Sequence, residues 1–180
     1  MAFYESGFLF MRFSFLPTMI AGSITELSPA FLSSKGIKLL MLDFDNTIVP
    51  YTTDTPTEEM IAWLKRMADS EISVCVVSNS RRDRVKRFCK TYGLDCITHA
   101  RKPFPKGIGR CLDKYSLPEG NCALAGDQIY TDVLGANCAG VQSILVKAID
   151  NHNFWLKARH VLEKPWIFIA RKRRMSYEKS

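Results

Sequence analysis

Two aspartates one residue apart, Asp43 and Asp45, close the apolar run IKLLMLDFDNT. In an extended chain, residues i and i+2 point the same way, so both carboxylates share a side at the end of a strand. Carboxylates that close repel each other, and something must compensate them. Farther along, Asp127 and Asp132 in GDQIYTD add two acids, while Thr47, Ser78, Asn79 and Lys102 add hydroxyls, an amide and an ammonium. A carboxylate cluster without Cys, and with no His nearer than His99, suits a hard divalent cation such as Mg²⁺. His99 reads as a surface or supporting residue rather than a ligand. Hydroxyls and an ammonium beside such an ion describe a receptor for a phosphoryl group, where catalysis is placement and neutralisation of charge on oxygen. A carboxylate there can attack phosphorus. A second can protonate the leaving alkoxide and then take a proton from water.

These residues act together only if the fold gathers them. Leu39 to Leu42 read as a strand buried on both faces, within 37–43. A helix should follow, with Asp54 or Thr55 as cap, Pro56 in its first turn, and Met60, Ile61, Leu64 and Met67 as its apolar face. Then come a strand over 72–79, a helix over 81–93 stopped by Gly93, a short strand over 95–99 and a helix over 105–116. A strand over 122–127, a helix over 131–140 ending at Gly140 with Asp132 as a candidate cap, and a last strand over 141–147 complete the series. Strands alternating with helices predict an α/β fold: a Rossmann-like parallel sheet flanked by helices, joined by right-handed crossovers. Ligands of such sheets bind at the carboxyl ends of the strands. Asp43, Asp45, Ser78, Asn79 and Asp127 all end strands, and Lys102 follows one closely, so all converge on one rim.

The chain has 180 residues, 47% hydrophobic and 24% charged, which suits one catalytic domain over 31–150 between an N-terminal arm (1–30) and a C-terminal segment (151–180). No apolar run is long enough for a clear membrane span. GFLFMRFSFLPTMIAGS lacks a basic leading region, and Arg12 and Pro17 interrupt it, so it reads as a buried or interface-lying arm rather than a secretion signal. Six scattered cysteines with no CxxC pair read as small buried hydrophobes in a reducing compartment. Net charge is +7, and residues 147–180 hold nine Lys or Arg against three acids. NFWLKARHVLEKPWIFIARKRR mixes these with aromatic residues. It reads either as an interfacial segment on anionic lipid or as a helix packed on the sheet with a solvated basic end. Nucleic acid is the weaker reading. Arg81, Arg82, Arg84, Lys86, Arg87 and Lys90 read as a solvated helix face, with Arg81 and Arg82 near Ser78.

DFDNT resembles the DxDxT motif of the haloacid dehalogenase (HAD) superfamily. VVSNS, ARKP and GDQIYTD resemble its second, third and fourth motifs, in the right order and each at a strand end. FLPTMIAGSITELSP, KGIKLLMLDFDNTIVPY and GDQIYTDVLGAN are similar to the YqeG-like phosphatases of subclass IIIA and the related phosphatidylglycerophosphate phosphatases, over roughly residues 15–147. Cys138 departs from the pattern and reads as a packing change. The resemblance implies Asp43 as nucleophile and Asp45 as acid/base, with Thr47, Ser78, Asn79 and Lys102 holding phosphate. Asp43, the Asp45 carbonyl and Asp127 would hold Mg²⁺, and Asp132 would orient a metal water. Lys106 rivals Lys102. Neither the gap from Thr47 to Ser78 nor that from Ser78 to Lys102 can hold an inserted cap domain, so the rim should be open to bulky substrates. The expected activity is hydrolysis of phosphatidylglycerophosphate by a cytoplasmic enzyme lying against the inner membrane face. Soluble nucleotide or sugar phosphates, and a phosphate-binding regulatory module, are the alternatives.

Overall fold

The computed structural model describes residues 13–80, 83–150 and 165–169. The first part of the N-terminal arm, Arg81 and Arg82, and most of the basic aromatic tail lie outside the described residues.

The opening apolar run forms β2 (Leu39–Leu42), all four residues buried. Its period of two serves two cores. Leu40 and Leu42 join Phe44, Trp63 and Val76 on one face, while Leu39 and Met41 join Cys75, Ile108 and Leu124 on the other. This is why the strand shows no alternation in sequence. Its neighbours are β3 (Ser73–Val77) and β5 (Cys122–Gly126), with β4 (Asp95–Ile97) and β6 (Gln142–Val146) farther out. Every pairing is parallel, and with β1 (Met19–Ala21) at one edge the order is β1-β6-β5-β2-β3-β4. From β2 the chain moves outward to β3 and β4, then returns on the other side of β2 as β5. Loops leaving β2 and β5 therefore diverge, and a crevice opens between their carboxyl ends.

The first strand, β1 (Met19–Ala21), pairs with β6. Ile24 and Leu27 beyond it are buried, and Trp63 Nε1 donates to the Leu27 carbonyl at 2.7 Å. Residues 19–27, read from sequence as part of an arm, thus supply a sheet edge and core. A three-residue strand followed by Gly22 is too short for periodicity to reveal. Next comes α1 (Pro29–Ser34), capped by Ser28.

Helix α2 (Glu58–Ala68) starts later than expected. Thr57, not Asp54 or Thr55, is its cap, its hydroxyl accepting from Met60 N at 3.2 Å, and Pro56 precedes the cap. With that start, Met60, Trp63, Leu64 and Met67 form the i, i+3, i+4, i+7 stripe, and Ile61 turns outward. The other helices are α3 (Asp83–Thr91), α4 (Lys106–Tyr115) and α5 (Leu134–Cys138). The helix expected over 131–140 is instead a π-helical turn, Ile129–Val133, running into α5. All six cysteines are free, and all but Cys96 are buried. Among the described residues, only a loop and α2 separate Thr47 from β3, and only α3 and β4 separate Ser80 from the loop bearing Lys102, so nothing covers the crevice as a cap.

Candidate active site

Asp43 follows β2 directly, its N–H donating to the Ala125 carbonyl of β5 at 2.9 Å, so the β2–β5 ladder extends into the site. Asp127 follows β5, and Asp132 lies one turn on, within the π-helical turn. One carboxylate oxygen from each of Asp43, Asp127 and Asp132 lies within 4.8 Å of the others, and all three residues are buried. Lys102 reaches this cluster from the loop after β4. Its Nζ is 2.7 Å from Asp43 Oδ1 and 2.7 Å from Asp132 Oδ1. Lys106 is exposed at the start of α4 and is no rival in position.

Ser78 and Thr47 are buried on the same rim. Ser78 Oγ accepts from Ser80 N at 3.0 Å and keeps its own proton to donate. Thr47 Oγ1 is buried with no hydrogen-bond partner among the described residues. Such a group costs free energy unless something completes it. Asn79 is differently employed from the phosphate contact expected. Its Oδ1 accepts from Lys102 N at 2.6 Å and its Nδ2 donates to the Lys102 carbonyl at 2.9 Å. The side chain therefore fixes the backbone of Lys102. Asp132 caps no helix by the usual geometry. It reaches back, Oδ2 accepting from Gln128 N at 3.1 Å. Asp45 is half-buried, and its carboxylate is not part of the three-acid cluster. His99 is exposed, beside Thr98. A cavity of about 170 Å³ opens here, lined by Asp43, Asp45, Ser78, Lys102 and Asp132 together with Tyr51, Gln128 and Thr131.

Known proteins resemble this chain in sequence and fold. A family model described as HAD-hydrolase-like matches residues 99–153. A Bacillus subtilis (strain 168) protein named "Probable phosphatase YqeG" is 36% identical over 132 residues, 73% of this chain and 77% of its own length. The chain belongs to the YqeG-like phosphatases of the HAD superfamily. Solved structures agree in fold. An uncharacterized protein from Listeria monocytogenes serotype 4b superposes with a TM-score of 0.51 at 15% identity, covering 71% of this chain and 99% of that one. A Vibrio cholerae protein assigned as a 3-deoxy-D-manno-octulosonate 8-phosphate phosphatase gives 0.51 at 15% identity, covering 77% and 83%.

In this HAD-superfamily phosphatase the electrostatics follow from burial. Burial pushes the Asp43 carboxyl up to about 7 in the absence of metal, with Asp132 adding to the rise and Lys102 opposing it. Burial likewise opposes charge on Lys102, but Asp132 and Asp43 outweigh it and lift its pKa, so the ammonium is charged across neutral pH. Three carboxylates against one ammonium leave an excess of negative charge of the size a divalent cation balances. Gly126 makes the approach possible. A Cβ there would lie 2.3 Å from Asp132 Oδ2. Gly126→Ala should displace the Asp132 carboxylate and cut phosphatase activity at least as much as Asp132→Asn does, measured as kcat side by side.

Sequence reasoning missed Arg84. It stands second in α3 yet is buried, where a solvated face was expected. Its place among six basic residues in ten hid it, and the signal available was its position one step before Val85 on the buried face. Tyr51, Gln128 and Thr131 were also missed, because nothing in their types marks them as the lining of a cavity.

Proposed function

We propose that this phosphatase is Mg²⁺-dependent and works through an aspartyl-phosphate on Asp43, and that its substrate is phosphatidylglycerophosphate, converted to phosphatidylglycerol. The observation that carries the reaction is the convergence of Asp43, Asp127 and Asp132 with Lys102 Nζ beside the orphaned Thr47 hydroxyl. The donor set fits Mg²⁺, being all oxygen and buried. Asp43, Asp127 and the Asp45 carbonyl would hold the ion, with Asp132 orienting its water; when bound, it neutralises charge on the phosphoryl oxygens. Asp43 supplies the attacking oxygen. Thr47, Ser78 and Lys102 donate to the phosphoryl group, and Asn79 keeps Lys102 in place. Asp45 gives its proton to the departing alkoxide, then takes one from the water that cleaves the acyl phosphate. Asp45→Asn should lower kcat by about 10²-fold or more, with binding of inorganic phosphate retained.

The lipid reading rests on shape and surface. The cavity suits a phosphoryl group, and no cap among the described residues encloses the remainder of a substrate. An aromatic cluster touches the chain segment that also carries Thr131 of the cavity lining. Phe15 packs on Tyr130, Trp166 and Phe13, and Tyr130 adjoins Thr131 of the cavity wall. Phe13 and Phe168 are 73% and 69% exposed, and the basic run Arg171–Arg174 follows in sequence. Exposed aromatics with adjacent positive charge favour an anionic bilayer, so the enzyme would work at the inner face of the membrane. No helix among the described residues is long and apolar enough to cross one. The test is phosphate release from a panel of esters with and without mixed micelles. The expected result is preferred turnover of the lipid phosphate in micelles containing anionic lipid. Equal or faster turnover of soluble nucleotide or sugar phosphates would overturn the lipid assignment and leave the reaction intact.

A further inference from the structure

Arg84 lies outside the phosphate-binding set, yet each of its nitrogens is engaged. Nη1 is 3.1 Å from Asp45 Oδ1 and Nε is 2.7 Å from Asp54 Oδ1. Nη1 also donates to the Tyr51 carbonyl at 3.4 Å, and Nη2 donates to those of Pro50 and Thr53 at 3.3 and 2.9 Å. The guanidinium carbon stands 5.1 Å from the centroid of Phe44, which packs edge-on against Phe88 of α3. The segment from Pro50 to Thr57 has little structure of its own. Its internal bonds include Thr53 N to the Pro50 carbonyl and Thr55 N to Thr53 Oγ1, and besides Arg84 it meets Arg87 Nη2 at Asp54 Oδ2, 3.9 Å, and Gln128 Nε2 at the Tyr51 hydroxyl, 3.5 Å. This loop carries Tyr51 to the cavity.

We propose that Arg84 is a positioning residue that locks Asp45 and the Tyr51 loop into one unit, aiming the acid/base at the leaving-group side of the cavity. The inference rests on the acid/base reading of Asp45 given above. The two acids of the opening motif are thereby separated by two dedicated cations. Lys102 draws Asp43 into the metal cluster, and Arg84 draws Asp45 out of it. A planar guanidinium can hold two carboxylates and three loop carbonyls at once through its fork of N–H donors; a lysine ammonium supplies charge without that fork.

The reaction offers a readout that a merely structural residue would not move. An alkyl phosphate expels an alkoxide that needs the proton of Asp45, whereas p-nitrophenyl phosphate expels a stable phenolate that does not. For Arg84→Lys and Arg84→Gln, kcat/KM for glycerol 3-phosphate should fall about tenfold or more beyond any fall for p-nitrophenyl phosphate, since general acid catalysis is worth about 10²–10⁴ in rate. Equal losses on the two esters, no loss, or full rescue by lysine would overturn the positioning role. A second measurement is independent of turnover. Chymotrypsin should cut the native chain after Tyr51 at least about tenfold faster in both variants, because the loop then loses an ion pair and its carbonyl hydrogen bonds to Arg84 together. Unchanged cleavage would overturn the clamp. Asp45→Asn separates the two readings: if it loses alkyl-ester turnover selectively while the Arg84 variants do not, the positioning role falls, and if it too loses both esters equally, the acid/base reading falls.

Discussion

Asp43→Asn should reduce phosphate release from every ester to background while leaving the fold intact. The amide matches the carboxylate in shape and can still accept from Lys102 Nζ, now 2.7 Å from Asp43 Oδ1, but it lacks the charge to attack phosphorus. Its effect on stability has a defined sign. The Asp43 carboxyl titrates at about 7 in the metal-free fold against 3.8 in the unfolded chain, burial being the main cause. The metal-free native state therefore holds a proton that the unfolded state has released. The corresponding stability is complete below about pH 4 and lost as pH rises through about 7. Asp43→Asn removes this loss, so metal-free melting temperatures of wild type and variant should diverge between pH 4 and 8, the variant gaining relative to wild type toward the alkaline end. Added Mg²⁺ should raise the wild-type melting temperature at pH 8 and raise that of the variant much less. Undiminished hydrolysis by Asp43→Asn would remove the nucleophile assignment, and parallel pH profiles would contradict the burial argument.

The reasons this site was legible in sequence, and where it was not, lie in the chain itself. Strand-end acids are readable because a doubly buried strand such as Leu39–Leu42 is a continuous apolar run, and a charged residue at its end is conspicuous. The parallel ladder then brings Asp43 and Asp127 to the same end of neighbouring strands: Leu42 pairs with Ala125, so Asp43 stands opposite Gly126 and Asp127 one residue farther on. Lys102 was legible from its place just after a strand and from its motif, but a lysine in a loop declares no direction; the direction comes from Asn79 holding its backbone on both sides. The start of α2 was misplaced because Asp54, Thr55 and Thr57 are all competent caps. Asp54 is instead drawn into an ion pair with Arg84, a contact 30 residues away in sequence. Edge strand β1 is three residues long, below the length at which period two can be recognised. Local pattern therefore carried the sheet and its acids, while the cations that sort those acids came from pairings across the fold.

The second large effect concerns the lysine. Lys102→Met should destabilise the metal-free protein at pH 8 by about 3–5 kcal/mol, the cost of leaving buried charge without its partner. Lys102 is 4% exposed, Asp43 6% and Asp132 1%, so water screens this group weakly. Both carboxylates lose the same 2.7 Å contact, which makes the methionine variant worse than the loss of a single pair. The magnitude should shrink as pH falls toward 5, because a buried carboxylate without a cation takes up a proton instead. Mg²⁺ should restore part of the lost stability, since a divalent ion among Asp43, Asp127 and Asp132 opposes the same repulsion. Activity should not return with it, because the phosphoryl oxygens have then lost their ammonium. Lys106→Met is the control: that side chain is exposed at the start of α4, and both melting temperature and kcat should match wild type. Urea denaturation of the three proteins at pH 5 and 8, with and without Mg²⁺, separates the electrostatic account from simple packing loss. A deficit in Lys102→Met that is independent of both pH and metal would mean that the lysine stem, and not its charge, holds this end of the sheet together.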